Sequence, residues 1–349
     1  HYGAFIIEAK GAIEGAELIG ETVSDYTITA GDVKLDIADL EKKYDAVLEP
    51  IFKNSLPEMP RPVSVAYDKG CDLLINKAPG TIAKPKVLIP VFPGTNCEYD
   101  MAAAFNRYGG EAEIFVIRNL SAKNMEDSVN EFAKRIEGSQ MIAVPGGFSG
   151  GDEPEGSAKF INAFFRNPKI KDAVENMLYA RDGLMIGICN GFQALIKLGL
   201  VPFGKIVPLS SESPTLTYNT IGRHQSQLAL TKICTNKSPW LMHCKVGEVY
   251  NIPISHGEGR FVASDEVIAK LIENGQIATQ YVDLNGEPTM DLAYNPNSSM
   301  CAIEGIISPD GRVLGKMGHT ERISSDTCVN VDGNKEQLLF KGGVDYFRI

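Results

Sequence analysis

From Val87 onward the sequence alternates apolar, strand-like runs with stretches of helical period, and this alternation restricts the fold more than any other feature. Val87–Phe92 reads as a strand, Glu98–Arg107 as a helix, Glu113–Ile117 as a strand, Met125–Ile136 as a helix and Met141–Val144 as a strand. Helices near Gly156–Phe165 and Ile170–Ala180 lead into the apolar run Leu184–Ile188, followed by a helix over Gly191–Leu198. Strands separated by helices pair in parallel and are covered by those helices, so the expected class is α/β. Beyond Pro202 the chain turns to short β-like runs, such as Leu228–Cys234 and Val249–Ile254, with one helix near Glu266–Ile272.

The first fifty residues read differently. Gly3–Ala9, Glu17–Val23 and Tyr26–Ala30 are β-like, with a turn at Gly31-Asp32 before Val33–Leu35. Ile37, Leu40, Tyr44, Val47 and Leu48 then recur at helical spacing behind an Asp36 cap, and Pro50 ends that helix. So short a segment makes a poor independent core. From Lys53 to Pro85 prolines stand at 57, 60, 62, 79 and 85 without regular period, which reads as a linker. The expected organisation is a small α+β appendage over 1–52, a linker over 53–85 and a large domain over 86–349. The first residue is His rather than Met, and the chain is expected to be a piece of a longer one.

Composition excludes several function classes. The net charge is −10 and Lys and Arg form no cluster interleaved with aromatics, so nucleic acid is not an expected partner. The most apolar stretch, Gly183 to Gly204, is interrupted by Asn190, Gln193 and Lys197 and reads as a buried strand and helix, not a membrane span. The seven cysteines form an odd set without Cys-x-x-Cys pairing, which points to a reducing, cytoplasmic setting. No clustered His, Cys and Asp set suggests a metal site.

The sharpest local feature is Leu184-Met-Ile-Gly-Ile-Cys189-Asn-Gly-Phe-Gln193, an apolar strand that ends at a cysteine and turns at once into a helix. Gly187 and Gly191 permit a tight, strained turn, and a thiol near a helix N-terminus is favoured as thiolate. A lone cysteine at a strand end is more often a buried structural residue, and a catalytic one needs a base and an orienting group. Two segments offer them with the same spacing, His319-Thr-Glu321 and His256-Gly-Glu258, and spacing alone does not choose between them. The glycines around His256 point to substrate contact. Pro145-Gly146-Gly147-Phe-Ser-Gly150-Gly151-Asp152 follows a strand at the same sheet edge, where its N–H groups could form an oxyanion hole.

In this chain order, the Gly-Gly loop, Gly-x-Cys-x-Gly-x-Gln and a distant His-x-Glu resemble the class I glutamine amidotransferases. With Phe92-Pro-Gly-Thr-Asn96-Cys and Ser255-His-Gly-Glu-Gly-Arg260, the stretch from Lys86 to Ile349 is similar to the glutaminase domains of phosphoribosylformylglycinamidine synthases. The resemblance implies a flavodoxin-like, mostly parallel sheet with helices on both faces. It implies Cys189 as nucleophile, His319 as base and Glu321 as orienting acid. It further implies a glutamine contact at Gln193; the mechanism expected for such a site places oxyanion donors at Gly147 and Asn190, and further substrate contacts are expected at Gly146, His256 and Glu258. No cofactor is implied for the glutaminase half. ATP and magnesium would serve an upstream synthase domain of the same polypeptide, whose tail the first fifty residues resemble. One departure is Gly318-His-Thr-Glu321, where the family usually has proline on both sides of the histidine. The rival readings are a cysteine hydrolase of the same architecture acting on another amide, ester or peptide, and a catalytically silent docking module.

Overall fold

The computed structural model describes residues 2–75, 81–151 and 157–349. They divide into two compact units, one through Leu56 and one from Pro57 to Ile349. In the first, β1 (Thr27–Ala30) and β2 (Val33–Asp36) form an antiparallel hairpin that turns at Gly31. Helix α1 (Ile37–Ala46) follows, with the Asp36 carboxylate accepting from Asp39 N at 3.1 Å. No residue of α1 is buried. The runs expected as strands over 3–9 and 17–23 form none. Phe5, Ile6, Ile7, Leu18 and Ile19 are exposed, and β propensity without a neighbouring strand or a packing face does not make a strand.

The second unit begins earlier than the sequence predicted. Val65 and Cys71 are buried, Val65 N donates to Gln280 Oε1 at 2.9 Å, and Tyr67 bridges Thr235. A short helix, α2 (Asp72–Ile75), follows, so the expected linker is, over 57–75, a strap packed on the large unit.

The large unit is built on a nine-stranded sheet. In chain order its strands are β3 (Lys86–Val91), β4 (Glu111–Val116), β5 (Met141–Val144), β6 (Leu184–Ile188), β8 (Gln225–Ile233), β9 (Val249–His256), β11 (Ile277–Tyr281), β12 (Ile303–Ile307) and β13 (Val313–Lys316). A separate pair joins β7 (Thr215–Thr217) to β10 (Arg260–Val262). The order is β4-β3-β5-β6-β13-β12-β11-β8-β9. The first five strands run parallel, and every pairing beyond β13 is antiparallel. The class is α/β as expected. The β-like runs past Pro202 supply the antiparallel half of a mixed sheet.

Helices α3 (Glu98–Arg107), α4 (Ala122–Glu137), α5 (Lys159–Phe165), α6 (Pro168–Glu175), α7 (Asn190–Leu198), α8 (Leu200–Phe203), α9 (Asp265–Glu273) and α10 (Leu339–Tyr346) complete the unit. Every residue of β5 and β6 is buried, the pattern of central parallel strands covered on both faces. Strand β3 continues to β4 on one side while β5 lies on the other. The loops after β3 and β5 therefore diverge at a topological switch point, the usual place for a site in such sheets. Among the described residues no helix is long and apolar enough to cross a membrane.

Candidate active site

Strand β6 and helix α7 meet at Cys189, whose φ of 53° and ψ of −107° put a side-chain-bearing residue in a backbone region that only tight constraint maintains. Its N–H donates to Lys316 O at 2.8 Å, tying the elbow to β13. Glycine is required on both sides. A β-carbon on Gly187 would lie 2.6 Å from the Gly191 backbone, and one on Gly191 would lie 2.0 Å from Val144 O. The Gly-x-Cys-x-Gly spacing therefore lets α7 start directly against β5 and β6.

Gly146 is the point where the site converges. A β-carbon there would stand 2.8 Å from His319 Cε1, 3.1 Å from Cys97 Sγ and 3.4 Å from Cys189 Cβ. The expected thiol and base are thus neighbours across one glycine. His319 Nδ1 and Glu321 Oε1 are 2.6 Å apart, with both residues buried. Burial alone would drive protons off His319. The Glu321 carboxylate and then Cys189 outweigh it and hold the imidazole well above its ordinary value.

The second His-x-Glu segment is built differently. His256 ends β9, and its Nε2 takes a hydrogen bond from Asn297 Nδ2 at 3.0 Å. Burial, with positive charge at His319 and His224, pushes its pKa down to about 3, so this ring is neutral. Glu258 does not pair with it: its Oε2 accepts from Ser157 N at 3.1 Å. The two segments that spacing left equivalent are a buried acid–imidazole pair and a neutral imidazole fixed by an amide.

The glycine loop after β5 is pinned to the loop after β3. Phe148 N donates to Gly94 O and Asn96 N to Gly146 O, so Thr95 and Gly147 face each other without bonding to one another. The Gly147 N–H takes no part in this bridge. Gly147 has a φ of 145°, and a β-carbon there would meet Gly94 O at 2.6 Å. Asn190 occupies the first position of α7, where backbone N–H groups point out of the helix N-terminus. Its side chain accepts from Ser149 N at 3.3 Å and donates to Gln193 Oε1 at 2.9 Å, linking loop to elbow. Asp152, the end of the glycine motif, lies outside the described residues.

Gln193 is held by the protein at both ends of its amide. Its oxygen is engaged by Asn190 and its nitrogen donates to the Glu258 carbonyl, so both ends of the amide brace the protein. It still borders a cavity of about 360 Å³ lined by Gly147, Phe148, Cys189, Arg223, His256 and Glu258 among others. His224 rims this cavity, with its Nε2 2.9 Å from Ser255 Oγ.

Three residues to which the sequence assigned no role, Cys97, Arg322 and Asn297, belong to the site. Cys97 Sγ lies 3.9 Å from His319 Nδ1 and accepts from Arg322 Nη2 at 2.9 Å, and Asn297 fixes His256. Cys97 ends the Phe92–Cys97 motif, a signal already in view; Asn297 lies in a loop with none. Cys97, His319 and Glu321 also bring ligand atoms within 4.8 Å of one another, a set able to hold a metal ion. The guanidinium on the sulfur and the short acid–imidazole bond already occupy those atoms.

Comparison with protein families supplies the class. Residues 84–347 match the CobB/CobQ-like glutamine amidotransferase domain, and the chain belongs to that family. Among curated proteins it is 35% identical over 262 residues to phosphoribosylformylglycinamidine synthase subunit PurQ of Chlorobium chlorochromatii, covering 72% of this chain and 93% of that one. The PurQ subunit of Aquifex aeolicus is 33% identical over 249 residues, covering 71% and 95%. Among solved structures, PurLQS from Thermotoga maritima matches with a TM-score of 0.54 at 25% identity, covering 76% of this chain and all of the matched one. The resemblance read from the motifs is borne out.

Proposed function

We propose that this chain hydrolyses the side-chain amide of glutamine through a thioester on Cys189. The ammonia feeds the ATP-dependent conversion of formylglycinamide ribonucleotide to its amidine in purine biosynthesis. The observation that carries this reading is the convergence at Gly146 of a thiol on a strained elbow and an imidazole bound to a buried carboxylate. The PurQ relatives supply the substrate and the pathway.

His319, held protonated by Glu321, supplies the counter-charge for a Cys189 thiolate. Attack on the glutamine amide carbon places negative charge on its oxygen, toward the backbone N–H groups of Gly147 and Asn190. One such donor is worth roughly 3 kcal/mol of barrier. The imidazolium gives its proton to the leaving nitrogen, and ammonia departs. His319 then takes a proton from water as the water attacks the thioester, and glutamate leaves. Gly146 keeps thiol and imidazole in contact. His256 and Glu258 face the substrate, and Gln193 braces Glu258.

The half-reaction uses no cofactor, while ATP and magnesium belong to the synthase part. We read residues 1–52 as the tail of that synthase domain, since α1 buries nothing by itself. The setting we propose is cytoplasmic, in keeping with seven free thiols. Replacing Cys189 with alanine should abolish ammonia release from glutamine and labelling by a glutamine-mimicking electrophile. Undiminished release from the folded variant would remove the reading.

A further inference from the structure

Strand β13 ends in a lysine that the site chemistry does not use. Lys316 is 1% exposed and its Nζ is 3.5 Å from the Oε1 of Glu304, which is fully buried on neighbouring β12. Buried ion pairs are poor stabilisers, because desolvation offsets most of the attraction. What distinguishes this pair is the segment it holds. Gly318 N donates to Glu304 Oε1 at 2.5 Å, and Gly318 O accepts from Lys316 Nζ at 3.2 Å. Both backbone polar groups of Gly318, the residue preceding His319, are thus gripped, one by each partner. Lys316 Nζ also donates at 2.9 Å to the hydroxyl of Thr320, on the other side of His319, and that hydroxyl donates to Gln337 Oε1 at 2.8 Å. At its other end, the Lys316 carbonyl receives the Cys189 N–H.

We infer that the buried Lys316–Glu304 pair is a clamp that positions His319 against Cys189, making both residues positioning residues for the glutaminase step. The inference rests on the roles given above to Cys189 and His319. It also accounts for the glycine and threonine flanking the histidine. A proline at 318 has no N–H for Glu304, and a proline at 320 has no hydroxyl for Lys316. A β-carbon at 318 would already stand 2.8 Å from Ile252 and 2.9 Å from Glu304. On its other sides the ring faces Glu321, Cys97 and Cys189, with Gly146 against its Cε1 and His256 within electrostatic reach.

The test is a neutral replacement, Lys316→Met with Glu304→Gln, which keeps an acceptor for Gly318 N and leaves no unpaired buried charge. In the full chain, kcat for ammonia release should fall about 100-fold with little change in KM, the loss typical of a reacting group displaced by about 1 Å. The pH dependence of Cys189 alkylation, read on its own peptide by mass spectrometry, should shift as well. A folded double variant with wild-type kcat and a wild-type alkylation profile would overturn the clamp. If the double variant does not fold, Thr320→Val decides. Removing that hydroxyl should lower kcat about three- to tenfold, and an unchanged kcat refutes the inference. A wild-type chain that releases no ammonia from glutamine would sink the glutaminase reading instead, a distinguishable result.

Discussion

Replacing Gly146 with alanine adds one methyl group at the point where thiol and base meet. The backbone at 146 is not in the left-handed region, so the substitution carries no conformational penalty and its effect is purely one of space. The new carbon would sit 2.8 Å from His319 Cε1, whereas carbon atoms rest about 3.5–4.0 Å apart. Either the imidazole retreats by about 0.7–1.2 Å or the β5 loop does. Overpacking of this kind costs about 1–3 kcal/mol of stability. For catalysis the consequence is larger: a displacement near 1 Å between reacting groups can cost about 100-fold in rate. The expected result is a folded protein, with a melting temperature lowered by a few degrees and a loss carried in kcat rather than KM. A coupled ammonia assay at saturating glutamine, beside a thermal melt, reads both. If the alanine variant keeps kcat within about threefold of wild type, the convergence at Gly146 does not set the reacting geometry.

Two further predictions follow from the site. His256 has a folded pKa near 3 against about 6.5 when unfolded, so its neutral form contributes stability above pH 6.5 that is lost as pH falls toward 3. His256→Gln should flatten the acid side of the stability curve by an amount on the order of a few kcal/mol, measured by urea titration between pH 7 and 4; parallel curves would contradict the assignment. Glu321→Gln keeps the shape but removes the charge that holds His319 protonated. It should lower kcat by about 10²- to 10⁴-fold in the ammonia assay, while a change under threefold would remove Glu321 from the mechanism.

The parallel core was legible in the sequence because burial on both faces demands continuous apolar runs, as at Met141–Val144 and Leu184–Ile188. The elbow was legible because its two glycines answer a local steric need. The choice between His319 and His256 was not, since their spacing is identical and the difference lies in remote partners: Glu321 binds one ring, whereas Asn297, on a distant loop, binds the other. The same distance hid Glu304, 12 residues before Lys316 and joined to it only by strand pairing. A lysine closing the apolar run Val313–Leu314–Gly315 was a visible sign that a buried partner existed. At the other end of the chain, propensity misled at 3–9 and 17–23, where no packing surface turns apolar residues into strands.

The most direct test of the account is acid quenching of the chain during turnover of isotopically labelled glutamine, followed by peptide mapping. The account predicts a labelled glutamyl adduct on the peptide carrying Cys189, absent from Cys189→Ala and accumulating when thioester hydrolysis is slowed. Turnover with no adduct, or an adduct on Cys97 instead, would contradict the claim that Cys189 is the nucleophile.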